Sequence, residues 1–113
     1  MYIAMNRFKV IKGREADFET VWRSRRSYLQ ELQGFIEFSL LKGPEKEDHT
    51  LYSSHTVWAT KADFQAWTTS EQFRKAHANA GKGGPLNILG HPEFEGFEAV
   101  IIEDNRAGSV AAE

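Results

Sequence analysis

The chain has 113 residues, a formal net charge of −2 and no cysteine, which suits one domain around a single core. The charge provides no polybasic field for nucleic acid or a membrane surface, and the missing thiols exclude cysteine nucleophiles, thiolate metal sites, iron–sulfur clusters and disulfides. With neither a signal-peptide pattern nor an apolar run approaching roughly 20 residues, a cytoplasmic protein is expected.

Residues 2–11 alternate, Tyr2, Ala4, Asn6, Phe8 and Val10 falling on one side and Ile3, Met5, Arg7 and Lys9 on the other, which is the period of a strand. After Gly13, the residues Phe18, Val21, Trp22, Arg25, Leu29 and Leu32 recur every three or four positions. That spacing predicts one helix of about five turns, stopped at Gly34. Phe35–Lys42 and Thr50–Ala59 predict two strands of a hairpin, joined through Gly43-Pro44 and EKEDH. A second helical region opens on the T-x-x-D pattern of Thr60 and Asp63 and is expected to bend near Thr68-Thr69-Ser70, where Thr69 and Gln72 offer another cap. GKGGPLNILGHP (81–92) reads as a loop, FEGFEAVIIE as a last strand, and 104–113 as a loose tail beyond a single domain spanning 1–103.

The order β-α-β-β-α-β predicts an α+β, ferredoxin-like fold, a four-stranded antiparallel sheet with both helices on one face. Its other face needs a cover, and a homodimer forming a dimeric α+β barrel would supply it.

Eight Phe and three Trp exceed what a minimal core of this size demands, so some are expected to line a ligand pocket. Asn6 sits mid-strand beside Phe8 and Val10, where a carboxamide costs free energy unless its donors and acceptor find partners. It either bonds neighbouring backbone or points into a cavity. Trp67, next to Phe64 and Ala66, reads as core. His77, four residues after Phe73, reads as a helix-end cation or as a ligand to something held. Ten residues separate Trp67 from His77, about 80° apart on a continuous helix, and a bend brings both toward one pocket. Arg25 lies in the apolar stripe and can pair with a ligand carboxylate. His49 is expected in solvent after the acidic turn, and His55 and His91 complete no zinc spacing; hydrolase, phosphate-loop and dinucleotide motifs are absent.

MNRF at the start, TVWATKADFQAW in the middle and EQFRKAHA after it resemble the small haem-degrading monooxygenases of the antibiotic biosynthesis monooxygenase superfamily. The resemblance implies a functional Asn, Trp and His at Asn6, Trp67 and His77. His77 would be the proximal ligand to haem iron, Asn6 a donor on the distal side, and Trp67 the steric element that ruffles the macrocycle. Arg25 would meet a propionate, and Phe73 would belong to the haem-binding wall. Haem is then both substrate and cofactor, O2 the oxidant, and a reductase or small reductant the external electron donor. Iron and a bilin would be released, biliverdin ahead of an oxo-bilirubin type product, because the 81–92 loop departs from the staphylococcal members. Two alternatives share the fold: a cofactor-free monooxygenase acting on a quinol or polyketide, and a non-catalytic barrel that binds haem.

Overall fold

The computed structural model describes residues 1–25, 28–76 and 87–103. Strand β1 (Tyr2–Ile11) is followed by helix α1 (Glu15–Ser24), a 3-10 turn (Leu29–Glu31), strands β2 (Phe35–Glu45) and β3 (His49–Trp58), helices α2 (Lys61–Thr68) and α3 (Glu71–Ala76), and strand β4 (Glu93–Glu98). The sheet is antiparallel in the order β2-β3-β1-β4, the expected ferredoxin-like arrangement. No helix among the described residues is long and apolar enough to cross a membrane.

The alternation of β1 sets both faces. Tyr2, Ala4, Asn6, Phe8 and Val10 stand opposite Trp58, Thr56, Ser54, Tyr52 and Thr50 of β3, and cross-strand partners share a face. On this helix-bearing side the core divides in two. Tyr2, Ala4, Leu29 and Trp58 form one cluster, with Phe64 and Trp67 against it. Val10, Phe18 and Tyr52 form the other, with Phe8, Trp22, Leu40 and Ile88. Asn6 lies between them on β1. The opposite face carries Ile3, Met5, Leu51 and Val57, with Phe97 opposite Ile3 and half exposed.

Three expectations need correction. The first helix ends at Ser24 instead of running five turns, and Arg25 is already extended at ψ 143°. Ser24 Oγ donates back to the carbonyls of Thr20 and Val21 at 3.0 and 3.1 Å, a local bond that competes with helix continuation. Leu29 still reaches the core, from a 3-10 turn entered through a left-handed Tyr28 (φ 62°). Strand β2 runs through Gly43-Pro44 to Glu45, which an edge strand tolerates because Pro lacks only a donor. Strand β4 stops at Glu98, paired with Tyr2. Just past it, the Ala99 amide donates to the Met1 carbonyl at 2.9 Å.

Gly34 has the expected left-handed backbone, φ +84°, and a β-carbon there would collide with the Asp63 carboxylate, but it stops no helix, since α1 ends at Ser24. The predicted bend is also present, since the helical region divides into α2 and α3. Its second cap is Ser70, not Thr69: Ser70 Oγ accepts from the Phe73 amide at 3.1 Å and donates to the Trp67 carbonyl at 2.6 Å. Thr60 Oγ1 accepts from the Asp63 amide at 3.0 Å, the anticipated first cap.

Candidate functional site

The gap between the two core clusters is a cavity of about 370 Å³, within the size range of small-molecule pockets. Its floor is sheet, with Ala4 and Asn6 from β1, Ser54 and Thr56 from β3, Phe38 from β2 and Phe94 from β4. Its walls are Trp22 and Arg25 from one side and Phe64, Trp67 and Phe73 from the other. Among the described residues, rings dominate this lining, Arg25 is its single charged group, and no carboxylate enters it.

Each candidate within the described residues takes its place there for a local reason. Asn6 keeps the β1 alternation, faces Ser54 and Phe94 across the sheet, and is half-buried. Among the described residues no hydrogen bond to its carboxamide is formed, so its polar atoms are left for whatever enters the cavity. Trp67 stands in the last turn of α2, 5.6 Å from Trp58 and edge-on to Phe73 at 4.8 Å. These rings fix the plane of the indole. Arg25 lies just past α1 with its guanidinium over the Trp22 ring at 4.4 Å. It donates to the carbonyl of Ala76, the last residue of α3, at 3.4 Å. Burial pulls its pKa below the usual arginine value, and partial desolvation strengthens its attraction for an anion. Asn6, Trp67, Arg25 and Phe73 are thus brought together. His77 lies outside the described residues, as do positions 81–86 of the loop and the 104–113 tail.

Sequence reasoning missed Trp22, Phe38, Ser54, Thr56 and Phe94 as lining. The β1 register carried a signal for two of them, since whatever opposes Asn6 shares its face, and those residues are Ser54 and Phe94. His49 is also corrected: its side chain is 14% exposed, with Nδ1 2.7 Å from Asp48 Oδ1. The described residues hold no group of three or more His, Asp or Glu able to bind a metal ion.

A flat apolar molecule with carboxylates at its periphery suits this lining: rings for its faces, a cation for an edge, and a free carboxamide over one side. Haem has that chemistry, and the described residues fit it.

A family model for antibiotic biosynthesis monooxygenases matches residues 1–79. The chain belongs to the antibiotic biosynthesis monooxygenase family. A haem-degrading monooxygenase of Shouchella clausii is 36% identical over 70 residues, 62% of this chain and 64% of that relative, slightly under two thirds of its length. A staphylobilin-producing haem oxygenase of Staphylococcus haemolyticus is 32% identical over 82 residues, 73% of this chain and 78% of the relative. Of solved structures, the haem degrader MhuD of Mycobacterium tuberculosis, with two haems bound in its active site, superposes with a TM-score of 0.69 at 25% identity, over 92% of this chain and 100% of that one. SnoaB of Streptomyces nogalater, a cofactor-independent oxygenase, shares the fold with a TM-score of 0.61 at 23% identity, over 96% and 97% of the two chains. The family member is accordingly an enzyme of the monooxygenase class.

Proposed function

We propose that this enzyme degrades haem, binding one haem per protomer in the cavity and using O2 and external electrons to open the porphyrin and release iron. The observation that carries this reading is Asn6, a half-buried carboxamide without a hydrogen bond among the described residues, on the floor of an aromatic cavity whose described lining holds one cation and no carboxylate. The haem-degrading relatives support the substrate class.

Bound haem supplies the oxygen activation and is itself the molecule oxidised. The chain's part is placement. Trp67, braced by Trp58 and Phe73, presses one face of the macrocycle and resists its flattening. Asn6 would offer an N–H donor to bound haem and its oxygen ligand, where a carboxylate would repel negative charge. Arg25 pairs with a propionate, Phe73 extends the wall, and His77 supplies a neutral imidazole to the iron. A reductase or small reductant delivers electrons. A homodimer in the cytoplasm, closed over the apolar sheet face of Ile3, Met5, Val57 and Phe97, completes the reading, with residues 1–103 as its single domain. Biliverdin remains our first product, and an oxo-bilirubin type product gains support from the staphylobilin-producing relative.

Titrating the purified protein with hemin and then adding ascorbate in air tests this directly. The reading expects a Soret band saturating at one haem per protomer, followed by its loss and by chelatable iron. No spectral change with hemin would favour the cofactor-free reading, and haem that survives reduction would favour a carrier.

A further inference from the structure

Trp22 belongs to two cavities. Besides the cavity floored by Asn6, it lines a more open groove of about 390 Å³ with Glu19, Arg23, Phe38, Lys42 and Tyr52. Between Trp22 and Tyr52 stands one ring, Phe18, at 6.1 Å from the indole and 5.0 Å from the phenol. At the far end the Tyr52 hydroxyl donates to Glu19 Oε2 at 2.5 Å, while Glu19 remains 25% exposed and is paired with Arg23 at 3.2 Å. An oxidisable side chain in the cavity is therefore linked through contacting rings to a buried phenol that already holds a proton acceptor, and that acceptor opens on solvent.

We propose that Trp22, Phe18, Tyr52 and Glu19 form a relay that carries oxidising equivalents out of the cavity to the groove, protecting the aromatic wall from oxidation. It rests on the reading that oxygen chemistry takes place in the cavity, whose stray one-electron oxidants remove an electron from Trp22. Tyr52 then returns one electron to the indole across Phe18, and its phenolic proton passes to Glu19, leaving a neutral phenoxyl radical and a protonated carboxyl. A small reductant of the ascorbate class in the groove supplies one electron, Glu19 gives the proton back, and the reductant leaves as its one-electron-oxidised radical.

Two features set the direction. The Arg25 guanidinium lies over the Trp22 ring, and a cation there destabilises positive charge on the indole. Tyr52 can discharge its positive charge by losing a proton, and Glu19, its pKa lowered chiefly by the Tyr52 hydrogen bond, is ionised at neutral pH and ready to accept it. Trp58 is the contrasting case: its buried Nε1 has no acceptor among the described residues, so a hole there cannot be relieved by deprotonation.

The test uses the haem-free protein, photo-oxidised by tris(bipyridine)ruthenium(II) with persulfate. Wild type should give a neutral tyrosyl signal by electron paramagnetic resonance. Tyr52→Phe and Glu19→Gln should lose it, with a several-fold rise in kynurenine at Trp22 by peptide mass spectrometry. Glu19→Gln keeps a hydrogen-bond acceptor without a usable base, so it decides the matter if Tyr52→Phe folds poorly. Equal Trp22 conversion in wild type and Glu19→Gln, or a tyrosyl signal that survives Tyr52→Phe, would overturn the relay. Neither outcome touches the haem reading, which stands or falls on hemin binding.

Discussion

The two sides of the cavity are built differently. On the α1 side, Val10, Phe18 and Tyr52 are buried, and two carboxylates tie the helix to β3: Thr50 Oγ1 donates to Glu15 at 2.8 Å and Tyr52 to Glu19 at 2.5 Å. On the α2–α3 side no residue of either helix is buried. Its rings, Phe64, Trp67 and Phe73, lean on the sheet and on one another at 4.8–6.2 Å. One side is closed scaffold; the other has apolar helix surface still to cover, which a flat ligand would do.

The sharpest way to break this contrast is at the proposed ligand. His77→Ala should abolish both the His-ligated Soret spectrum and turnover while leaving far-ultraviolet circular dichroism unchanged, because the α1 scaffold does not depend on it. Phe18→Ala should remove about 3–5 kcal/mol of stability, the usual cost of truncating a buried ring, read from the urea midpoint. Trp67→Ala should cost clearly less than Phe18→Ala in the same assay but more in haem affinity. If the two are equally destabilising, the division into scaffold and cover fails.

Acid should loosen the α1 side first. The Glu15 and Glu19 pKa values are lowered, chiefly by the hydroxyl hydrogen bonds from Thr50 and Tyr52. A carboxylate depressed on folding contributes stability above its ordinary, unfolded pKa of 4.5, and loses it as pH falls through the folded value. Urea midpoints should therefore drop below about pH 4.5, with a shallower drop in the Glu15→Gln, Glu19→Gln double variant. The smallest effect belongs to the α2 cap: Thr60→Ala should cost about 0.5–2 kcal/mol, with the spectrum of bound haem retained.

The strands, the fold order, the left-handed turn at Gly34 and the bend between α2 and α3 were legible because each has a local chemical cause: alternation, a glycine, hydroxyls that cap. The end of α1 was not. Leu29 lies eleven residues after Phe18, which on a continuous helix returns it to within about 20° of the same stripe, so periodicity cannot see a break that leaves Leu29 facing the core. In the site, Asn6 stood out as a polar residue on an apolar face, whereas Phe38 and Phe94 resemble ordinary strand aromatics until the register places them on the cavity floor. Arg25 was legible by its stripe, but its position over Trp22 follows from the extended backbone after Ser24.

Asn6 bears the central claim, and one paired measurement tests it: hemin titration of wild type and Asn6→Ala, each followed by ascorbate in air with iron release monitored. The account predicts near-equal binding, with loss of the Soret band and iron release in wild type only. Asn6→Ala turning over haem at the wild-type rate, or wild type leaving bound haem intact, would contradict it.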